Sequence, residues 1–208
     1  MTISNGYATL AEFKLYASAR GATASTDAND DTVIEDIIEF VSRWIEGQTS
    51  RKFIIESSAS TRYFESEDGL TVYTDEISSA ANITSVSVDY EGMMETYTAL
   101  TVTTDYFALP DNAAALGLPI TGFEIAPTTS NYFPTTRRGI QVVAKFGWAT
   151  VPDNIKVDCL AIALNIYKER SGQAAVGQVQ ITAAGVVVRP DNVPSWVMSD
   201  LRRYRIIT

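Results

Sequence analysis

Histidine is absent from the 208 residues, and cysteine occurs once, at Cys159. The first absence removes the side chain that most often serves as a general base near neutral pH and most often ligates metals. The second excludes an intrachain disulfide and a thiolate zinc site, so nothing in the chain calls for an oxidising compartment. Long apolar runs are missing too. The longest, Cys159 to Leu164, is far too short to cross a bilayer. The opening residues Met1-Thr2-Ile3-Ser4-Asn5-Gly6 lack the basic region and apolar run of a secretory signal. The expectation is a soluble protein made inside the cell, with no membrane partner.

Positive charge is scarce. Sixteen basic residues face 25 acidic ones, a formal net charge of -9. DNA binding relies on Lys and Arg neutralising phosphates, so such a chain repels nucleic acid over most of its surface and is not expected to read a DNA sequence. No Ser-x-x-Lys spacing occurs among the five lysines, and no Gly-rich loop suited to cradling phosphate is present. A serine nucleophile would therefore need an unusual base. No cofactor is implied.

What the chain does have is enough apolar material, 46% with 10% aromatic, to build a core in one domain or one domain with a large insertion. Thr9-Leu10-Ala11-Glu12 reads as a capping box that opens a short helix, with Gly21 as its stop. Thr32-x-x-Glu35 reads as a second capping box. The helix it opens, to about Gln48, puts Val33, Ile34, Ile37, Ile38, Phe40, Val41, Trp44 and Ile45 on one broad face. From Arg51 to Ala149 the period shortens. Segments 61–64, 70–73, 83–90, 96–102, 123–126 and 139–146 are rich in Val, Ile, Thr and Tyr and are punctuated by Gly, Pro, Asn and Asp. They predict about six strands of a small antiparallel sandwich or barrel. Val151-Pro152-Asp153 reopens a helix to about Ser171, apolar over most of its circumference, with Asp158, Asn165 and Glu169 as its polar stripe. A hairpin around Ala183-Ala184-Gly185 and a last helix over Pro194–Tyr204 complete the plan. The fold class expected is α+β. Helices of 1–50 and 151–208 form one bundle, and a β-rich block, 51–150, is inserted between them.

Candidate chemistry is thin. Asp27-Ala28-Asn29-Asp30-Asp31 starts like a calcium loop, but Thr32 stands where the loop needs Gly and Ile38 where it needs Glu. It reads instead as a polar loop whose acids favour the next helix N-terminus. Acidic pairs such as Asp75 and Glu76 read as solvated loops rather than glycosidase dyads. Cys159, among apolar neighbours in a helix, reads as packed rather than reactive. Charge placement says more. Between Arg62 and Arg137 there is no Lys or Arg but eleven acidic residues, Glu65, Glu67, Asp68, Asp75 and Glu76 among them. This is either an ordinary acidic surface or a face that meets a basic partner or lines a passage for DNA. Arg202, Arg203 and Arg205 either complement a helix dipole or dock an acidic partner.

Phe146-Gly147-Trp148-Ala149-Thr150-Val151-Pro152-Asp153-Asn154-Ile155-Lys156 leads into an apolar helix ending Ile166-Tyr167-Lys168-Glu169-Arg170. This resembles the "yGw…vP.di…A…l…lY.rR" passage of tailed-phage head–tail connector (adaptor) proteins. Tyr7 to Lys14 before an amphipathic helix, Thr61-Arg62-Tyr63-Phe64 and the closing Pro194 to Arg205 agree with that family in order and spacing. The resemblance implies a structural, non-enzymatic protein of the virion neck. It would form a homo-oligomeric ring, dodecameric in that family, beneath the portal protein, extend the DNA channel without binding DNA specifically, and join the head to a tail, stopper or tail-terminator protein. It also implies roles for particular residues. Arg202, Arg203, Arg205, Ile206 and Ile207 would reach the portal. Ile155, Leu160, Ile162, Ile166 and Tyr167 would lie in the core and subunit contacts, and the acidic set of 65–76 would face the channel or a partner. Competing readings are another neck, tail-completion or stopper protein, and a β-sandwich carbohydrate-binding module using Tyr63, Tyr73, Tyr90, Tyr97, Tyr106 and Tyr132 as stacking faces.

Overall fold

The computed structural model describes residues 5–22, 27–170, 180–181, 187–188 and 193–205. The elements run α1 (Leu10–Ala19), α2 (Ala28–Thr49), β1 (Ser60–Phe64), β2 (Thr71–Ile77), β3 (Ile83–Val88), β4 (Thr98–Leu100), β5 (Tyr106–Leu109), α3 (Ala113–Leu116), β6 (Ile120–Ile125), β7 (Ile140–Ala144), α4 (Asp153–Arg170), β8 (Gln180–Ile181), β9 (Val187–Val188) and α5 (Ser195–Tyr204). The fold is α+β: terminal helices flank a β-rich block. Two compact units result, Met1–Arg51 with Val151–Thr208, and Lys52–Thr150.

In the helical unit, α1 starts at the Thr9 capping box. The Glu12 N–H donates to Thr9 Oγ1 at 3.2 Å, and the Thr9 N–H donates to Glu12 Oε2 at 2.8 Å. Gly21, with φ +67°, follows the helix end. The α2 start differs from the Thr32 box expected. Asp27 is the N-cap, its carboxylate accepting from the Asn29 N–H at 2.9 Å, and Thr32 lies inside the helix with its hydroxyl donating to the Ala28 carbonyl. An Asp cap satisfies an orphan donor as well as Thr does and adds a favourable charge at the dipole's positive end. The helix therefore begins five residues earlier. Ile34, Ile37, Ile38, Val41, Ser42 and Ile45 form its buried stripe.

Helix α4 packs against α1, α2 and α5 and is buried nearly all round, from Ile155 to Tyr167. Asp158 is therefore no part of a solvated stripe: it is buried. Phe13 meets Tyr167 edge-on, and Lys156 ties α4 to Glu12 of α1 at 2.8 Å. On α5, Val197 and Leu201 turn inward, the Tyr204 hydroxyl donates to Asn154 Oδ1 at 3.0 Å, and Arg51 reaches the Tyr204 carbonyl. β8 and β9 pair antiparallel, Gln180 opposite Val188. The expected turn at Ala183-Ala184-Gly185 lies outside the described residues.

The β unit has seven strands rather than six, in sheets ordered β1-β7-β3-β4 and β2-β6-β5. The strand missed is β5, whose Tyr-Phe-Ala-Leu is short and runs into Pro110; α3, a single turn, was missed as well. Val72, Ile77, Tyr106, Phe123 and Ile125 of one sheet share a core with Val86, Val88, Leu100, Ile140 and Val142 of the other. Isolated bridges Ile77↔Phe146 and Val102↔Tyr106 link the sheets at two corners, so the sandwich is stitched towards a barrel. Gly147 explains the Phe-Gly-Trp junction. Its φ is +106°, and a Cβ there would lie 2.0 Å from the Ile54 carbonyl oxygen, so no other residue fits. Phe53 packs on Trp148, and Arg62 stacks over Phe146 at 3.9 Å while pairing with Glu56 and Asp75.

Candidate functional site

Cys159 is fully buried, and burial pushes its thiol up to about 12. Its Sγ lies 3.6 Å from Ser42 Oγ, which donates to the Ile38 carbonyl at 2.7 Å and accepts from the Tyr7 N–H at 2.9 Å. This is a packing pair that clips the N-terminal segment onto α2. Asp27, Asp30 and Asp31 sit at the start of α2, Asp27 as its cap. Among the described residues, no group of three or more Cys, Asp or Glu is placed to hold a metal ion, and no helix is long and apolar enough to cross a membrane.

The five acidic residues singled out from 65–76 do not share one environment. Glu65 and Glu67 are exposed. Asp68 closes its own turn: its Oδ1 accepts from the Leu70 and Thr71 N–H groups, both at 2.8 Å, and these bonds hold its carboxyl below the usual range. Asp75 pairs with Arg62 at 2.6 Å. Glu76 is the outlier, only 8% exposed. Further along, Asp89 is buried beneath three backbone donors, and Asp105 accepts from the Thr101 N–H and from Asn131 Nδ2. Much of the acidity therefore builds turns, a use of Asp that local side-chain-to-backbone bonding favours.

Of the residues expected in core or subunit contacts, Ile155, Leu160, Ile162 and Tyr167 are buried and Ile166 is half-buried. Arg202, Arg203 and Arg205 are exposed at the end of α5; the first two make its last turn basic and Arg205 is its C-cap. Ile206 and Ile207 lie outside the described residues. The tyrosines have different surroundings. Tyr106 is in the core against Phe123, Tyr90 pairs with Tyr132, and Tyr63 pairs with Tyr97 under the Arg138 guanidinium.

Sequence reasoning missed two features. Neither oxygen of Asp158 has a hydrogen-bond partner among the described residues; burial, with Asp200 nearby, raises its carboxyl to about 7. The signal was available: an acid between Val157 and Cys159, at the start of the apolar run of α4. The other is the outer face of β2-β6-β5, where Tyr73 and Phe107 are exposed. Strict alternation along β2 points to Tyr73, but Phe107 was hidden by the missed strand.

No protein-family model matches the sequence, and no curated protein resembles it in sequence. Solved structures do resemble it in fold. One is a chain from the neck of an empty gene transfer agent particle computed with C6 symmetry. It has a TM-score of 0.54 and 15% identity, and the match covers 100% of this chain and 94% of that one. Another is a chain from the virion of a native gene transfer agent particle, with a TM-score of 0.50, 16% identity and the same coverage. At these identities the likeness is one of fold.

Proposed function

We propose that the chain is a structural subunit of a phage-type virion neck, a head–tail connector that assembles as a ring under the portal and joins head to tail. The observation that carries this reading is the extent of the fold likeness: it takes in the whole chain, helices and β block together, and most of a neck-particle chain. A fold alone does not specify function. The chemistry agrees, however, because the cysteine is sealed in the core and Asp27, Asp68, Asp89 and Asp105 serve a cap and turns. The six-fold symmetry of that neighbour's particle fits a cyclic ring with a multiple of six subunits, twelve included.

In this reading α4 is the central strut, with Ile155, Leu160, Ile162 and Tyr167 holding the bundle and the half-buried Ile166 nearest to a subunit contact. The end of the chain, from Arg202 through Arg205, Ile206 and Ile207, reaches the portal. Exposed Glu65 and Glu67 keep the channel or partner face acidic, so that DNA passes without sticking. Mass photometry of the pure protein with and without a portal ring tests the proposal. The expected result is a discrete added mass on the portal, lost when Arg202 and Arg205 are both changed to Glu while the circular dichroism stays unchanged. A portal ring that gains no mass at micromolar protein overturns it.

A further inference from the structure

Along the seam between α4 and α5 one polar rung is made and the next is not. The Tyr204 hydroxyl donates to Asn154 Oδ1 at 3.0 Å. One turn further along α4 stands Asp158, and one turn back along α5 stands Asp200. The two helices thus run antiparallel with their carboxyls at the same level, and the charge of Asp200 is felt at Asp158. Asp158 is fully buried, and neither of its oxygens has a hydrogen-bond partner. The side chains buried along the seam are apolar, Ile155 and Ile162 on α4 and Val197 and Leu201 on α5.

Among the described residues, no cation of the surrounding elements bonds this carboxyl. Helix α1 brings Glu12, tied to Lys156 of α4, and Tyr16, which has Arg20 stacked 3.6 Å over its ring. Helix α2 buries Ile34, Ile38, Val41, Ser42 and Ile45, and its Arg43 pairs with Glu46 at 3.1 Å. Beyond α2, Arg51 reaches the Tyr204 carbonyl. Helix α5 brings Asp200 and Tyr204, while its Arg202 and Arg203 are exposed. On α4 itself the adjoining Cys159 packs on Ser42. An ionised Asp158 would therefore be a bare charge facing a second acid, with neither water nor donor to offset it.

We propose that this seam is a proton-operated latch: α5 stays docked while Asp158 holds a proton, and lifts off by itself, giving Asp158 to water, when that proton leaves. Helix α5 is the element that can leave. It has ten residues, too few for a stable helix on its own, and buries only Val197 and Leu201 fully. Its departure hydrates Asp158 while the contacts of α4 with α1 and α2 remain. The docked state keeps the proton up to about pH 7, whereas the lifted state gives it up near the ordinary aspartate value of about 4. Docking is therefore full in acid and weakens as pH rises. Arg202 and Arg203 move with the helix, so in the connector reading the latch governs how that end of the chain is presented. The latch itself does not depend on that reading.

Hydrogen exchange in the full chain at pH 5, 6, 7 and 8, corrected for intrinsic rates, tests the latch. Amides of α5 are expected to be about tenfold or more less protected than the buried ones of α2, and indifferent to dilute urea that speeds α2. Their protection should fall about tenfold per pH unit from pH 5 to 7, the effect of one proton, and level off above. Asp158→Asn should remove that slope. Asp200→Lys, which supplies the missing partner, should flatten it and keep α5 protected at pH 8. Equal protection in α5 and α2 at every pH, or a slope that survives Asp158→Asn, overturns the latch. Should Asp158→Asn lose its helical circular dichroism, Asp200→Lys decides alone, and a slope that survives it overturns the latch as well.

Discussion

Asp89 in the β unit and Asp158 in the helical unit are both hidden from solvent, at 1% and 0% exposure, yet their surroundings are opposite. Asp89 follows β3, and the chain wraps around its carboxylate. Its Oδ1 accepts from the Glu91 and Gly92 N–H groups at 3.0 and 2.9 Å, and its Oδ2 from the Met94 N–H at 2.6 Å. The wrap needs left-handed backbone at Gly92, φ +72°, and at Met94, φ +62°. Asp158 sits mid-helix, where every nearby N–H is already spent on the helix ladder, and its nearest charged neighbour on α5 is another acid, Asp200. A turn can lend a buried carboxylate the donors it needs; a helix interior cannot, and a proton has to do the work instead.

That contrast breaks first at Asp89. Asp89→Ala removes the acceptor for three N–H groups and is expected to destabilise the β unit by about 3 kcal/mol or more. Hydrogen exchange should speed up most in β3 and β4, which the turn joins. A loss under about 1 kcal/mol would mean that the turn holds without its carboxylate. Asp158→Asn tests the other side and should act with the opposite sign. Because the folded carboxyl is raised to about 7, the native state keeps a proton that the unfolded chain loses near pH 4. The contribution is full below the unfolded value and is lost as pH rises towards the folded one, at up to about 1.4 kcal/mol per pH unit. The wild-type helical unit should therefore weaken between pH 4 and 7 by an amount on the order of a few kcal/mol and level off above. Asn should flatten that limb, leaving stability at pH 5 little changed and raising it at pH 8. Urea midpoints measured across pH 4–8, with exchange followed in α4 and α5, decide it. A wild-type limb with no downward slope would rule out a protonated Asp158.

The same two residues mark how far the sequence could be read. Helices α1, α4 and α5 were legible because capping boxes, proline-led starts and a buried face every three to four residues are local signals, and the insertion of a β block between them follows from the change of period. The start of α2 was not, because Asp27 and Thr32 both offer a side-chain oxygen at a plausible cap and the local pattern does not choose between them. β5 was lost because four residues before a proline make too short an alternation. Among the site residues, exposure of Arg202, Arg203 and Arg205 could be read from α5's pattern. The division of the acids into turn formers, an ion pair and the buried Glu76 could not, because it depends on which backbone N–H groups the tertiary fold leaves over. Asp158 carried a local clue, an acid inside an apolar helix, but amphipathic averaging assigned it to a polar stripe.

Asp68 offers the smallest and sharpest version of the comparison. It binds backbone much as Asp89 does, accepting from the Thr71 and Leu70 N–H groups, but in the open, and those bonds lower its carboxyl. For a lowered acid the contribution is present above the unfolded value and lost as pH falls through the folded one. Asp68→Ala should therefore cost the β unit a little stability at neutral pH, much less than Asp89→Ala because water screens and replaces the lost bonds, and the cost should fade in acid as the wild-type carboxyl takes up its proton. The two units then carry acid limbs of opposite slope: the donors around Asp68 make the β unit lose stability as pH falls, while the donorless Asp158 makes the helical unit gain it. Exchange measured separately in β2 and in α4 at pH 3, 5 and 7 would reveal the crossing, and slopes of the same sign in both would show that the backbone's supply of donors does not govern how this chain buries its acids.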